Sequence, residues 1–269
     1  MQYRVLGRTG LKVSALGFGG MRFKIVDGHV DEDVTIAALR RAMDLGVNYF
    51  DSAVGYCESE SEAVMGKALK GRRADVIIST KYPTWDPYTK KADDCRRMLE
   101  QSLTRFGVDL IDIYHMHSVN WESAQAVLAP GGAMEGARKA KEEGLIRHLA
   151  FSFHDDAKRM IDIIDAAPDF EVVTCQYNLL DRGNEESIAY AHEKGVGVVV
   201  MDIPRAVEQA LAKLVPLIRG EAGRPGISLD RFPQLGAPGF VGFLAAGEAN
   251  NPEGIGHLLM GKQMITGRY

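Results

Sequence analysis

Cysteine is scarce: Cys57, Cys95 and Cys175 are the only three among 269 residues. They are odd in number and far apart, and no C-x-x-C pair occurs, so neither a zinc nor an iron–sulfur site is signalled. Such usage fits a reducing cytosol, with all three as small buried or half-buried side chains. No run of five or more Lys or Arg exists and the net charge is −4. Binding to nucleic acid or to an anionic membrane therefore has no electrostatic support. Long apolar runs are missing too; Val196 to Met201 is far too short to cross a bilayer. The opening Met1-Gln2-Tyr3-Arg4-Val5-Leu6-Gly7 lacks the apolar core of a signal peptide, and a cytoplasmic location is expected.

The chain has 46% hydrophobic and 25% charged residues, the range of an ordinary globular protein. Its length suits one domain over 1–269. Short apolar runs rich in Val and Ile recur: Leu16 to Gly19, Asn48 to Asp51, Val76 to Lys81, Leu110 to His117, Ile146 to Phe153, Val172 to Tyr177, Val196 to Asp202 and Phe240 to Ala245. Near-continuous apolar strands point to a parallel sheet covered on both faces. Between them lie helix-like segments: Asp31 to Leu45, Ser59 to Leu69, Ala92 to Phe106, Ala133 to Glu143, Asp155 to Ala167, Glu185 to Lys194, Val207 to Ile218 and Pro252 to Met264. Several open on acidic residues and stop at Gly, as helix ends do.

Eight strand–helix units predict a closed (β/α)8 TIM barrel, which takes about 250 residues. An open doubly wound sheet is the competing α/β fold, but its usual G-x-G-x-x-G turn is absent. Ahead of the first unit, Tyr3 to Leu6 and Lys12 to Ser14 flank Gly7-Arg8-Thr9-Gly10, which reads as a β-hairpin able to plug the barrel's bottom. Arg219 to Gly239 reads as a long Gly- and Pro-rich loop.

Chemistry in such barrels sits at the carboxyl ends of the strands. There the second strand supplies Asp51, with Tyr56 in the next loop, the third supplies Lys81, and the fourth supplies His117, with His115 two positions earlier. Taken singly, a strand-end Asp or Lys reads as a solvated rim charge, and a His in an apolar strand as a core residue. Their convergence from neighbouring strands suggests carbonyl reduction, which needs a proton at oxygen as well as a hydride at carbon. A tyrosine hydroxyl has an ordinary pKa of about 10, and a nearby ammonium would bring it down. Lys81 would do this for Tyr56, Asp51 would hold Lys81, and His117 would orient the substrate oxygen. No metal is required. Trp85, Trp121 and His115 lie near the loop mouths, where ordinary packing competes with lining a substrate pocket.

These segments resemble the aldo-keto reductase family. Phe50-Asp51-Ser52-Ala53-Val54-Gly55-Tyr56 resembles its D-x-A-x-x-Y motif, and Ser59 to Leu69 its S-E-x-x-x-G-x-A-L helix. Ser79-Thr80-Lys81 is similar to the strand carrying the family lysine, and Val108 to His117 to D-x-x-D-L-Y-x-x-H. The opening Leu6 to Ser14 and Leu16 to Met21 also match. The match is strong over 1–202. It implies the barrel, a nicotinamide cofactor (NADP or NAD), a small carbonyl substrate, and Asp51, Tyr56, Lys81 and His117 as catalytic residues. It implies Gly20, Met21, Asp51, Ser152, Gln176 and Met201 as cofactor-binding positions. Ala150-Phe151-Ser152-Phe153-His154 carries Phe153 where relatives carry an asparagine, so one hydrogen bond of the usual set is missing.

After Asp202 the resemblance weakens. Gly247 to Glu253 loosely resembles the relatives' phosphate-gripping loop, yet no Arg or Lys follows until Lys262. A basic side chain pairs best with a phosphate. The last quarter is thus either a diverged cofactor clamp or a degenerate tail. The leading expectation is an NAD(P)H-dependent carbonyl reductase. The alternatives are a non-redox barrel that binds nucleotide as a regulator, and a lyase or isomerase that reuses the Tyr/Lys pair. A monomer is expected.

Overall fold

The computed structural model describes residues 1–85, 90–178, 181–201 and 240–244. Two short strands, β1 (Tyr3–Val5) and β2 (Lys12–Ser14), form an antiparallel ribbon around a single 3-10 turn at Gly7–Thr9. The barrel begins with β3 (Leu16–Gly19), after which β4 (Ile25–Val26) and β5 (His29–Val30) make a small hairpin. Then follow α1 (Glu32–Asp44), β6 (Tyr49–Asp51), α2 (Ser61–Leu69), β7 (Ile77–Pro83), α3 (Ala92–Phe106) and β8 (Ile111–Val119). Next come α4 (Trp121–Leu128), α5 (Ala133–Glu142), β9 (Ile146–Phe153), α6 (Ala157–Ala166), β10 (Val172–Gln176), α7 (Glu185–Glu193), β11 (Gly197–Met201) and β12 (Phe240–Leu244).

Eight parallel strands close in the order β10-β11-β12-β3-β6-β7-β8-β9, so the expected barrel forms and the open sheet does not. The expected helices Val207 to Ile218 and Pro252 to Met264 lie outside the described residues, as do the loop Arg219 to Gly239 and the segment Gly247 to Glu253. Among the described residues no helix is long and apolar enough to cross a membrane.

Local sequence accounts for the helix ends. Asp31 caps α1 by accepting from the Val34 amide. Gly107 ends α3 with φ +66, a left-handed conformation that glycine adopts at little cost. Asn120 and Ser123 form a reciprocal cap on α4, a helix with no counterpart in the sequence-based expectations.

Successive residues in a strand face opposite ways, and the barrel sorts its side chains on that period. The outward set, including Phe50, Ile78, Tyr114, Phe151, Val173 and Val200, packs under the helices as one core. The inward set at the amino ends of the strands forms a second core of Tyr49, Ile77, Ile113, Ala150, Val172 and Val199. Leu6 and Val13 of the N-terminal ribbon complete that second core, so the ribbon plugs the bottom of the barrel. A Cβ on Gly7 would lie 2.2 Å from the Gly197 amide nitrogen, which is why only glycine fits that contact. The Arg8 guanidinium then bonds the carbonyls of Phe170 (2.7 Å), Lys194 (3.2 Å) and Pro168. Cys95 and Cys175 are buried and Cys57 is partly buried. Burial pushes the Cys95 and Cys175 thiols up to about 12, so both are inert core groups.

Candidate active site

Two residues further along β6, β7, β8, β9 and β10 the inward face turns polar, while β11 places Met201 there. Asp51 ends β6, Ser79 and Lys81 follow Ile77 on β7, and His115 and His117 follow Ile113 on β8. Ser152 follows Ala150 on β9, Thr174 and Gln176 follow Val172 on β10, and Met201 follows Val199 on β11. The same period that builds the plugged lower core therefore gathers Asp51, Lys81, His117, Ser152, Gln176 and Met201 at the carboxyl end.

Lys81 is 1% exposed. Its Nζ donates to Asp51 Oδ2 and, at 2.6 Å, to the Ser52 carbonyl. It lies 4.8 Å from the centre of the Tyr56 ring. The rings of Tyr56 and His117 meet edge to face at 5.8 Å, and Trp85 also meets His117 edge to face at 4.9 Å. Thus Asp51, Tyr56, Lys81 and His117 share one mouth, with Trp85 as an apolar wall that is 44% exposed. Trp121 instead starts α4, under the Arg159 guanidinium at 5.6 Å. His115 is fully buried in the tier below the mouth, not at it.

Burial pushes the Lys81 ammonium down, but Asp51 and Tyr56 together raise it further, so its pKa stands above the ordinary value. Burial raises the Tyr56 hydroxyl, and the opposing pull of Lys81 is smaller. The expected net lowering by Lys81 is therefore reversed in the free protein, because desolvation outweighs the nearby charge. Burial, then Lys81, His115 and His154, hold His117 well below its usual value, so its imidazole is neutral.

Tyr56 sits on an unusual turn. Cys57, Glu58 and Ser59 directly after it have φ of +52, +53 and +71. Left-handed backbone costs a non-glycine residue about 1–2 kcal/mol. Outside contacts hold the turn: Cys57 Sγ lies 3.4 Å from the Gly20 carbonyl, and Glu60 accepts from the Val30 amide and bonds His29. We expect Ser59→Gly to stabilise the protein by about 0.5–1 kcal/mol, the relieved strain less the greater freedom of glycine when unfolded. A chemical-denaturation midpoint that stays put or falls would contradict this.

Gly20 is buried, and its amide donates to the Asp51 carbonyl at 2.7 Å. Met21 beside it is 57% exposed. At the other side of the mouth, Ser118 has φ +56 and breaks the β8–β9 register. This bulge frees the Ser118 amide to donate to Ser152 Oγ at 2.7 Å. Phe153 points outward and packs on Phe151 at 6.4 Å, so it offers the mouth no polar group. Sequence reasoning did not single out Ser79 and Thr174, which lie on the same inward positions. Their spacing of two residues from Lys81 and Gln176 was the available signal.

The sequence profile described as the aldo/keto reductase family matches residues 15–203. L-galactose dehydrogenase of Arabidopsis thaliana is 32% identical over 211 residues, covering 74% of this chain and 64% of that protein. The NADH-specific methylglyoxal reductase of Escherichia coli strain K12 is 28% identical, covering 77% of this chain and 65% of that protein. The chain thus spans less than two thirds of the length of either relative. Among solved structures, a thermostable aldo-keto reductase in complex with epalrestat superposes with a TM-score of 0.77 at 25% identity, covering 98% of this chain and 94% of that one. A profile that runs from β3 through β11 takes in Asp51, Lys81 and His117 on one barrel, and on that basis the chain belongs to the aldo/keto reductase family.

Proposed function

We propose that the protein reduces a small aldehyde or ketone to the alcohol with NAD(P)H, using Tyr56 as the proton donor. The observation that carries this reading is the buried contact of Lys81 with Asp51 beneath the Tyr56 ring, with neutral His117 across the mouth. The Tyr56 hydroxyl keeps its proton at neutral pH because burial raises it. It gives that proton to the carbonyl oxygen, and the Lys81 ammonium stabilises the tyrosinate left behind. Asp51 holds Lys81 in place. Neutral His117 has one ring N–H, which donates to the same oxygen and orients it.

The bound nicotinamide would supply the hydride. Ser152 accepts from the Ser118 amide, and its own hydrogen has no acceptor among the described residues. The Gln176 side-chain amide likewise makes no hydrogen bond among them, although the Gln176 carbonyl accepts from Asn184. A hydroxyl donor on β9 and a side-chain amide on the neighbouring β10 suit a carboxamide group, so Ser152 and Gln176 fit the nicotinamide end of the cofactor. Gly20, Met21 and Met201 would line the same space. We read the protein as a cytosolic monomer with NADP somewhat preferred over NAD.

Titration of the purified protein with NADPH and NADH, by fluorescence and calorimetry, tests this first. Micromolar binding of either nucleotide is expected, followed by its oxidation in the presence of a carbonyl from a broad panel. No binding at millimolar nucleotide would overturn the proposal in favour of a non-redox barrel.

A further inference from the structure

Beneath the mouth lies a tier of polar groups that the proposed reaction does not use. Ser79 and His115 are fully buried and Thr174 is 1% exposed. Ser79 Oγ donates to Asp51 Oδ1 at 2.7 Å, the carboxylate oxygen that Lys81 leaves open. His115 Nδ1 lies 3.3 Å from Ser79 Oγ, and His115 Nε2 lies 2.8 Å from Thr174 Oγ1. A buried polar ring costs free energy unless it is bonded. The inward neighbours Ile113 and Ala150 show that apolar side chains suit the barrel interior at this level.

The hydrogen positions follow from elimination. The Asp51 carboxylate can only accept, so the single Ser79 hydrogen is committed to it. The group facing Ser79 must then be a donor, which puts the His115 hydrogen on Nδ1. Burial, reinforced by the Lys81 charge, keeps His115 well below its usual value and therefore neutral. With one hydrogen on the ring, Nε2 accepts from the Thr174 hydroxyl. Every donor in the row thus points the same way, from Thr174 through His115 and Ser79 to Asp51.

We infer that His115 is a positioning residue that acts through Ser79 to fix the orientation of the Asp51 carboxylate, and through it the placement of Lys81 against Tyr56. It touches neither substrate nor cofactor. Without the His115 donor, Ser79 could turn its hydroxyl away toward the buried Tyr49 hydroxyl, which also neighbours it, and Asp51 would then lose one of the two partners that set its plane. The inference rests on the reductase reading for its kinetic consequences but not for its structural ones.

Three substitutions separate the cases. His115→Leu keeps the bulk and removes both bonds. His115→Asn keeps a donor where Nδ1 stands and loses the link to Thr174. His115→Gln reaches toward Thr174 and loses the donor to Ser79. The Leu variant is expected to lose about tenfold in kcat, with KM for the carbonyl within about twofold, as a small displacement of a reacting group produces. Asn should recover most of that loss and Gln should not. A second readout needs no turnover: the ultraviolet absorbance of tyrosinate, with the Tyr56→Phe protein subtracted, follows Tyr56 ionisation directly. It should move to higher pH in the Leu and Gln proteins and return with Asn. Equal loss in all three variants, or an unmoved Tyr56 titration, would overturn the inference. If the wild-type protein reduces no carbonyl, the functional reading fails while this titration still tests the role of His115.

Discussion

Replacing Tyr56 with Phe is expected to lower kcat for carbonyl reduction by about 10²–10⁴-fold, the usual contribution of a positioned general acid. The change removes one oxygen and leaves the ring between Lys81 and His117. Nucleotide affinity should stay within about twofold, because Ser152 and Gln176 lie on the far side of the mouth on β9 and β10. The pH dependence has a definite sign. An acid must be protonated to act, and burial raises Tyr56 above its ordinary value of 10.0. Reduction by the wild-type protein should therefore hold level through neutral pH and fall only in the alkaline range. His117 adds no transition near neutrality, since burial and Lys81 depress it well below 6.5. A Tyr56→Phe protein with kcat within about threefold of wild type would remove tyrosine from the mechanism.

Arg105→Met is expected to cost about 3 kcal/mol of stability, the low end for stripping one partner from a buried ion pair. Glu62 on α2 is fully buried. Its Oε1 accepts from Thr80 at 2.5 Å and its Oε2 from Arg105 at 2.6 Å. Arg105 is 24% exposed, so some water reaches it and the low end applies. For a chain of this size the loss corresponds to a fall in Tm of about 10 °C. The double change Glu62→Leu with Arg105→Met should recover part of it, because an apolar pair leaves no stranded charge. Calorimetric melting of the three proteins decides the matter: a single variant that melts within about 2 °C of wild type would mean that Glu62 is not held as a charge. Thr80 stands next to Lys81, so this pair also braces the strand that presents the lysine.

Regular elements with strong end signals were legible in the sequence. Helix α3 runs over Ala92–Phe106 as expected, since Asp93 and Asp94 open it and Gly107 closes it. Strand β9 also falls on Ile146–Phe153, and β12 forms at Phe240–Leu244 within the expected eighth strand. Hairpin β4–β5 went unread because each arm is only two residues long, although Asp27-Gly28, with φ +51 and +84, is the turn such hairpins favour. Helix α4 was hidden because a single residue, Asn120, separates it from β8. At the site, Asp51, Lys81 and His117 stood out as charged or titratable ends of apolar runs. Ser79 and Thr174 did not, because Ser and Thr in a strand look like ordinary strand residues until closure shows which face they take. The net effect of burial on Tyr56 was also out of reach, since desolvation depends on the whole surrounding shell and not on the neighbouring lysine alone.

The plug at the barrel floor sets an order of events during synthesis. Arg8 finds its carbonyl partners 160, 162 and 186 residues further along the chain. Leu6 and Val13 close against Val172 and Val199, and β3 pairs with β12 through Leu16 and Gly242. This segment leaves the ribosome well before the strands it closes against and is therefore among the last to be enclosed, and closing such distant contacts is intrinsically slow. Until Val199 has been translated, Leu6 and Val13 have no floor to complete and face water or whatever holds the nascent chain.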